Sequence, residues 1–296
     1  MGVNLRKIYV SLGGNVYLTT DTGYIIKLNR YVEEACIFKD HEGSVIALDA
    51  DDTNHGLIIT GGYNDYTIKA HYTHNGKHVF TFSGHTSNVN VVKLDHTNDF
   101  IFSGSNDKTV RKISSTKGQQ IWSYVNKDVI YDVAPTLDGG VVVGSSLTVR
   151  KIDKDGNLVW EFVHGTSTIT SLESITINES EFIYAYESAG KLLKINSLNG
   201  NLVWSKETDS GGHSTQILLD SESDSVYIAK RDSILEKLSL DGERLWSVKN
   251  LFQIGRSYFL RGLAIDVTGN LFITSDLDKL IQINPELQLR GYRVNR

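Results

Sequence analysis

An all-β fold made of repeats is what this sequence predicts, on three observations. Four stretches close on one phrase: Lys117-Gly118-Gln119-Gln120-Ile121-Trp122, Asp155-Gly156-Asn157-Leu158-Val159-Trp160, Asn199-Gly200-Asn201-Leu202-Val203-Trp204 and Asp241-Gly242-Glu243-Arg244-Leu245-Trp246. These hold all four tryptophans of the chain. Ahead of each phrase lie short segments rich in β-branched residues, divided by Gly, Asn, Asp and Ser clusters, which is the chemistry of strands and turns. No stretch of ten or more residues has helical apolar spacing. A period of about forty residues with four strands per unit is the blade of a β-propeller.

The third unit shows the elements in order. A first strand, Val89-Asn90-Val91-Val92-Lys93-Leu94, is followed by Phe100-Ile101-Phe102-Ser103 and a tight polar turn, Ser105-Asn106-Asp107-Lys108. Then comes Thr109-Val110-Arg111-Lys112-Ile113, and the tryptophan segment completes four. The same count divides the chain into units of roughly 6–40, 41–82, 83–124, 125–162, 163–206, 207–249 and 250–294. The prediction is a seven-bladed propeller of four-stranded antiparallel blades, one domain over residues 1–296. The aromatic beat steps back to Phe80 and forward to Tyr292, so Phe80, Trp122, Trp160, Trp204, Trp246 and Tyr292 share one repeated position. The terminal units drift. Cys36 stands near the aromatic position of the first, and Asn284-Pro285-Glu286 replaces the Asp-Gly turn of the last.

Two resemblances rest on these residues. Gly84-His85-Thr86-Ser87-Asn88-Val89, followed by Ser103-Gly104-Ser105-Asn106-Asp107-Lys108-Thr109, resembles a WD40 repeat; Asp40-His41 with Tyr63-Asn64-Asp65 is a weaker second case. The resemblance implies a hydrogen-bonded lock of His85, Ser103 and Asp107, incomplete because Ile113 stands where such repeats carry Trp. The later units resemble the repeats of quinoprotein-like propellers, in which a Gly-x-x-x-Trp segment docks its indole on the neighbouring blade. Both resemblances specify fold far better than function.

Composition narrows the function classes. A net charge of −5 with Lys and Arg scattered through every blade gives no basic face, which disfavours nucleic acid. No apolar run approaches the length of a membrane span, and Met1 to Arg6 is too short and polar for a signal peptide, so a cytoplasmic location is expected. Cys36 is the only cysteine, which rules out an intrachain disulfide and reads as a small buried apolar residue. Lys27, Lys112, Lys151, Lys194 and Lys237 share one slot, with Ala70 and Gln282 in blades two and seven. They read either as a cation ring or, preferably, as stems covering the adjacent blade.

No catalytic, cofactor or metal site is predicted. Asp153-Lys154-Asp155-Gly156-Asn157 opens like a calcium loop, but His164 stands where its closing Glu belongs, so it reads as a hairpin turn. His71, His74 and His78 lack a completing carboxylate or cysteine nearby and read as loop histidines at a solvated edge. Val143-Gly144-Ser145-Ser146-Leu147 lacks the second glycine of a nucleophile elbow. The expected function is a non-catalytic scaffold for protein–protein interaction. Two alternatives stand: a virion propeller, because the Arg-Lys-Ile-Asp-x-Asp-Gly-Asn-x-x-Trp repeat resembles those of bacteriophage tail propellers, and a hydrolase or lyase working at the channel mouth. Candidate partner-binding residues are Tyr63 and Tyr66 in the blade-two turn and Phe252, Arg256 and Tyr258 in the long connection into blade seven, since Tyr and Arg dominate energetic hot spots.

Overall fold

The computed structural model describes residues 4–53, 55–165, 167–208, 214–230, 233–249, 251, 260–275, 279–284 and 289–293. Among them are seven four-stranded antiparallel sheets and no helix. In each sheet the strands follow chain order, as hairpins joined by tight turns dictate. The inner strands are Leu5–Val10, Val45–Asp51, Val89–Leu94, Asp132–Pro135, Ile169–Ile177, Ser214–Asp220 and Leu260–Ile265. The outer strands are Glu34–Lys39, His78–Phe82, Gln120–Val125, Leu158–Val163, Leu202–Glu207, Arg244–Val248 and Leu289–Arg293.

Each inner strand packs on the inner strands of both neighbours, and the first meets the last, so the seven blades form a ring around a channel. The core is distributed over the blade interfaces. One cluster joins Val91, Phe102 and Val110 of blade three to Ile130, Val133 and Val143 of blade four. The ring closes without exchange of a strand: Leu5, Ile8, Val16 and Leu18 of blade one pack on Ala264, Phe272 and Leu280 of blade seven. Second strands are buried over most of their length, because both of their faces meet another blade.

The outer strands of blades three to six share a bulge. Lys112 pairs with Trp122 and Ile113 with Gln120, leaving Ile121 as the extra residue; Val159, Val203 and Leu245 occupy the same place. An extra residue in one strand turns its neighbour's side chain, here placing the tryptophan on the interface face and the aliphatic residue before it outward. Blade seven lacks the bulge, so Gln282 pairs with Arg290 and Leu280 with Tyr292. Tyr292 therefore falls opposite a different third-strand residue from the tryptophans, at the place of Tyr124 and Phe162, which pair with Val110 and Val149. Counting residues misplaced it because a missing bulge shifts the register without changing the strand count.

Candidate functional site

The repeated Gly and Trp are two halves of one lock, made between successive blades. A Cβ placed on Gly156 would lie 3.1 Å from the Trp122 ring, on Gly200 2.7 Å from Trp160, on Gly242 3.1 Å from Trp204 and on Gly118 2.5 Å from Phe80. Each aromatic thus lies on the glycine of the following blade's turn, where no other side chain fits. These glycines also have φ between 63° and 92°, which L-residues adopt only with strain. The Trp122 Nε1–H donates to the Lys154 carbonyl (2.8 Å) and that of Trp160 to the Ser197 carbonyl (2.9 Å), whereas the buried Trp204 N–H has no acceptor among the described residues. In blade one Cys36 is half-buried and holds the tryptophan register opposite Lys27, but Phe38 does the docking, 2.9 Å from a Cβ on Gly76.

Four of the five repeated lysines are clasps rather than members of a cation ring, and Lys237 bonds the Ser223 hydroxyl of its own blade, 3.2 Å away. Lys27 donates to the Thr73 carbonyl (2.8 Å), Lys112 to that of Gly139 (3.0 Å) and Lys194 to that of Leu240 (3.2 Å), each in the next blade. Lys151 reaches Asp138 at 2.6 Å and the Ser197 hydroxyl. Their ammonium groups lie over second-strand rings such as Phe102 and Tyr184. Burial lowers Lys112 and Lys194 below the ordinary ammonium value.

Three blades carry a histidine–acid lock between the incoming loop and the turn joining second and third strands. In blade three His85 Nδ1 lies 2.8 Å from Asp107 and Nε2 lies 2.8 Å from the Ser103 hydroxyl. A carboxylate only accepts, so Nδ1–H donates to Asp107, and Nε2 is left to bond the Ser103 hydroxyl. Burial would raise Asp107, but the bonds from His85 and Thr109 hold it well below the usual carboxylate range. Blade two uses the same positions, His41 with Asp65 (2.8 Å) and Thr60 (3.0 Å), and adds Asp40, 3.2 Å from Nε2; here the Thr60 hydroxyl donates to Asp40. Burial would lower His41, yet hydrogen bonds to Asp40 and Asp65 raise it above its ordinary value; in return Asp65, whose burial acts upward, falls to about 2. His71 is not an edge histidine: it is buried 3.5 Å from Asp40, and its burial lowers it. His71 and His78 meet edge to face, with ring centroids 5.4 Å apart, but His74 lies against Tyr72, so the three do not share one site. Blade five holds a third lock, His164 Nδ1 to Glu187 (2.7 Å), hidden in the sequence because glycine follows the histidine instead of preceding it. Asp153 caps its own turn through the amides of Asp155 and Asn157.

The channel contains a cavity of about 200 Å³ with charge from five blades. Lys93 pairs with Glu173 at 3.1 Å across it, and Lys7, Asp49 and Asp132 line the same space. Burial would lower Lys93, but Glu173, Asp49 and Asp132 raise it; burial itself raises Glu173 and Asp49. The ammonium occupies the middle of this carboxylate set, and among the described residues no group of three or more His, Cys, Asp or Glu is arranged to hold a metal. Inner-strand side chains also stitch the ring. Asp49 accepts from the Leu94 amide (2.7 Å), Asp132 from Leu172 (2.8 Å), Ser171 from Ile217 (3.1 Å) and Gln216 from Leu263 (3.2 Å), each in the next blade.

The loops entering the blades and the turns between second and third strands emerge on one face of the disc, as the His85–Asp107 and His41–Asp65 contacts show. Tyr63 and Tyr66 lie there, 45% and 40% exposed, and Tyr66 has φ 59°. Blade four adds Tyr131 and Leu147, 38% and 44% exposed on equivalent segments, which sequence reasoning missed because single aromatics in polar loops carry no periodic signal. Phe252, Arg256 and Tyr258 lie outside the described residues. No helix among those described is long and apolar enough to cross a membrane.

The family model described as outer membrane protein assembly factor BamB matches residues 95–227, and that of the WD domain, G-beta repeat, matches residues 76–113. The two matches meet in blade three, which carries both a histidine–acid lock and a tryptophan lock. The chain is a seven-bladed β-propeller in which residues 95–227 are similar to BamB-type repeats and residues 76–113 to a WD40 repeat.

Proposed function

We propose that this protein is a non-catalytic scaffold that binds a protein partner through the face bearing Tyr63, Tyr66, Tyr131 and Leu147. The observation that carries the reading is the placement of exposed aromatic and aliphatic side chains on the blade-two turn locked by His41 and Asp65 and on the equivalent segments of blade four. Tyr supplies large contact area at low entropy cost, and held turns lose little freedom on binding. WD40 and BamB-type repeats are consistent with such a role. The test is site-specific photo-crosslinking in the source cells, with a photoreactive residue at position 66 or at position 198, an 81%-exposed turn site on the opposite face. A discrete protein adduct from position 66, abolished by Tyr63→Ala with an unchanged melting temperature, is expected. Adducts from position 198 alone would move the interface to the other face.

A further inference from the structure

The hydrogen bonds that stitch the ring leave one channel side chain unused. Asp132, Ser171 and Gln216 stand at one level of the inner strands, and each accepts a backbone amide of the next blade. Lys7 holds the corresponding place in blade one, directly before Ile8, which pairs with Leu18 as Leu172 pairs with Ala185 in blade five. Its backbone amide bonds the Thr19 hydroxyl, 3.0 Å away, but among the described residues its Nζ has no hydrogen bond and no ion pair. Lys93, by contrast, is engaged by Glu173 at 3.1 Å. Lys7 lines the channel cavity of about 200 Å³, to which all seven inner strands contribute described residues; Tyr131, 38% exposed on the face that bears Tyr63, lines it too. An ammonium without a partner in such a space is costly, so burial lowers Lys7 below its ordinary value; Asp132 and Glu173 oppose this without prevailing, and the Lys93 cation lowers it further. The neutral amine is the favoured form. Its lone pair is a nucleophile, and desolvation or a second cation nearby is a general means of activating lysine.

We propose that Lys7 is a nucleophilic amine that holds a small neutral aldehyde in the channel as an imine. In this step the Nζ lone pair adds to the carbonyl carbon, both amine protons pass to the carbonyl oxygen, and that oxygen leaves as water as the C=N bond forms. No oxidant or reductant is consumed. Two features set the class of ligand. The cavity falls below the roughly 300–1,000 Å³ of pockets for drug-sized molecules, so the aldehyde is a chain of a few carbons. Asp49, Asp132 and Glu173 outnumber Lys7 and Lys93 around it, which disfavours an anionic aldehyde. These carboxylates are themselves engaged: Asp49 and Asp132 each accept an amide of the next blade, and Glu173 pairs with Lys93. Binding of this kind requires no turnover, and it stands independently of the tyrosine surface.

The experiment treats the full chain with propanal and sodium cyanoborohydride at neutral pH, which reduces the imine to a stable propylamine, and maps the modified lysines by peptide mass spectrometry. Lys154 in the blade-four turn, exposed and raised by its bond to Asp155, is the internal reference. Lys7 should be propylated at least about tenfold faster than Lys154, because the neutral fraction of an amine rises tenfold for every tenfold rise in its acidity. A naphthaldehyde, too large for the cavity, should reverse that order. Lys7→Arg should abolish the fast reaction without moving it to another lysine. Propylation of Lys7 no faster than that of Lys154 overturns the proposal, as does an equally fast reaction of Lys7 with the naphthaldehyde, which would place the amine outside the channel. A fast reaction that survives in the Lys7→Arg protein assigns the nucleophile elsewhere and overturns it too.

Discussion

Gly200 and Gly139 separate the two demands on a lock glycine, conformation and space. Both have positive φ, 73° and 78°, but a Cβ on Gly200 would lie 2.7 Å from the Trp160 indole, while one on Gly139 meets nothing closer than the Lys154 side chain at 3.6 Å. Gly139→Ala therefore imposes the left-handed strain alone, about 1–2 kcal/mol. Gly200→Ala imposes the same strain and also displaces the indole, which adds about 1–3 kcal/mol of overpacking and weakens the 2.9 Å bond from Trp160 to Ser197. The expected total is about 2–5 kcal/mol. Urea denaturation followed by far-ultraviolet circular dichroism measures both. In a Trp160→Ala background the extra loss should vanish, giving a coupling of about 1–3 kcal/mol. If Gly139→Ala and Gly200→Ala agree within about 0.5 kcal/mol, and Gly200→Ala adds to Trp160→Ala without coupling, the lock is not what holds adjacent blades.

Further outcomes follow from the buried polar groups. Removing either His85 or Asp107 should lose about 1–3 kcal/mol, and a double-mutant cycle should show coupling between them; zero coupling would leave Asp107 as a turn cap only. His41 is raised in the folded state, so its contribution is fully present below the unfolded imidazole value of about 6.5 and is lost as pH rises through the higher folded value. The stability gap between the wild type and His41→Gln should shrink as pH rises above about 6.5, and a gap that widens instead would contradict the imidazolium assignment. Lys93→Met strands the channel carboxylates and should lose about 2–4 kcal/mol, largely restored by adding Glu173→Met; no restoration would show that the charge pairing is not the cause.

Much of this was legible in the residues, because repeated structure writes a repeated sequence. The blade count, the four strands per blade and the shared position of Trp122, Trp160 and Trp204 follow from the spacing of Gly-x-x-x-Trp phrases, and the WD40 resemblance implied the His85 lock with Asp107. The lysine slot was visible too, although the choice between clasp and cation ring needed the positions of carbonyl oxygens such as Gly139 and Leu240.

Sequence by itself determined what recurs, since the alternation of strand and turn residues is local and each blade reproduces it. Only tertiary structure decided what meets across the repeats. That an indole lies on the next blade's glycine, that Phe38 and not Cys36 docks in blade one, and that Tyr292 slips out of the tryptophan register depend on bulges and on which neighbour a strand faces. The Lys93–Glu173 pair joins residues 80 positions apart, and no periodicity connects them. They meet because seven locally specified blades close into a ring and turn one face of each inner strand toward a common axis.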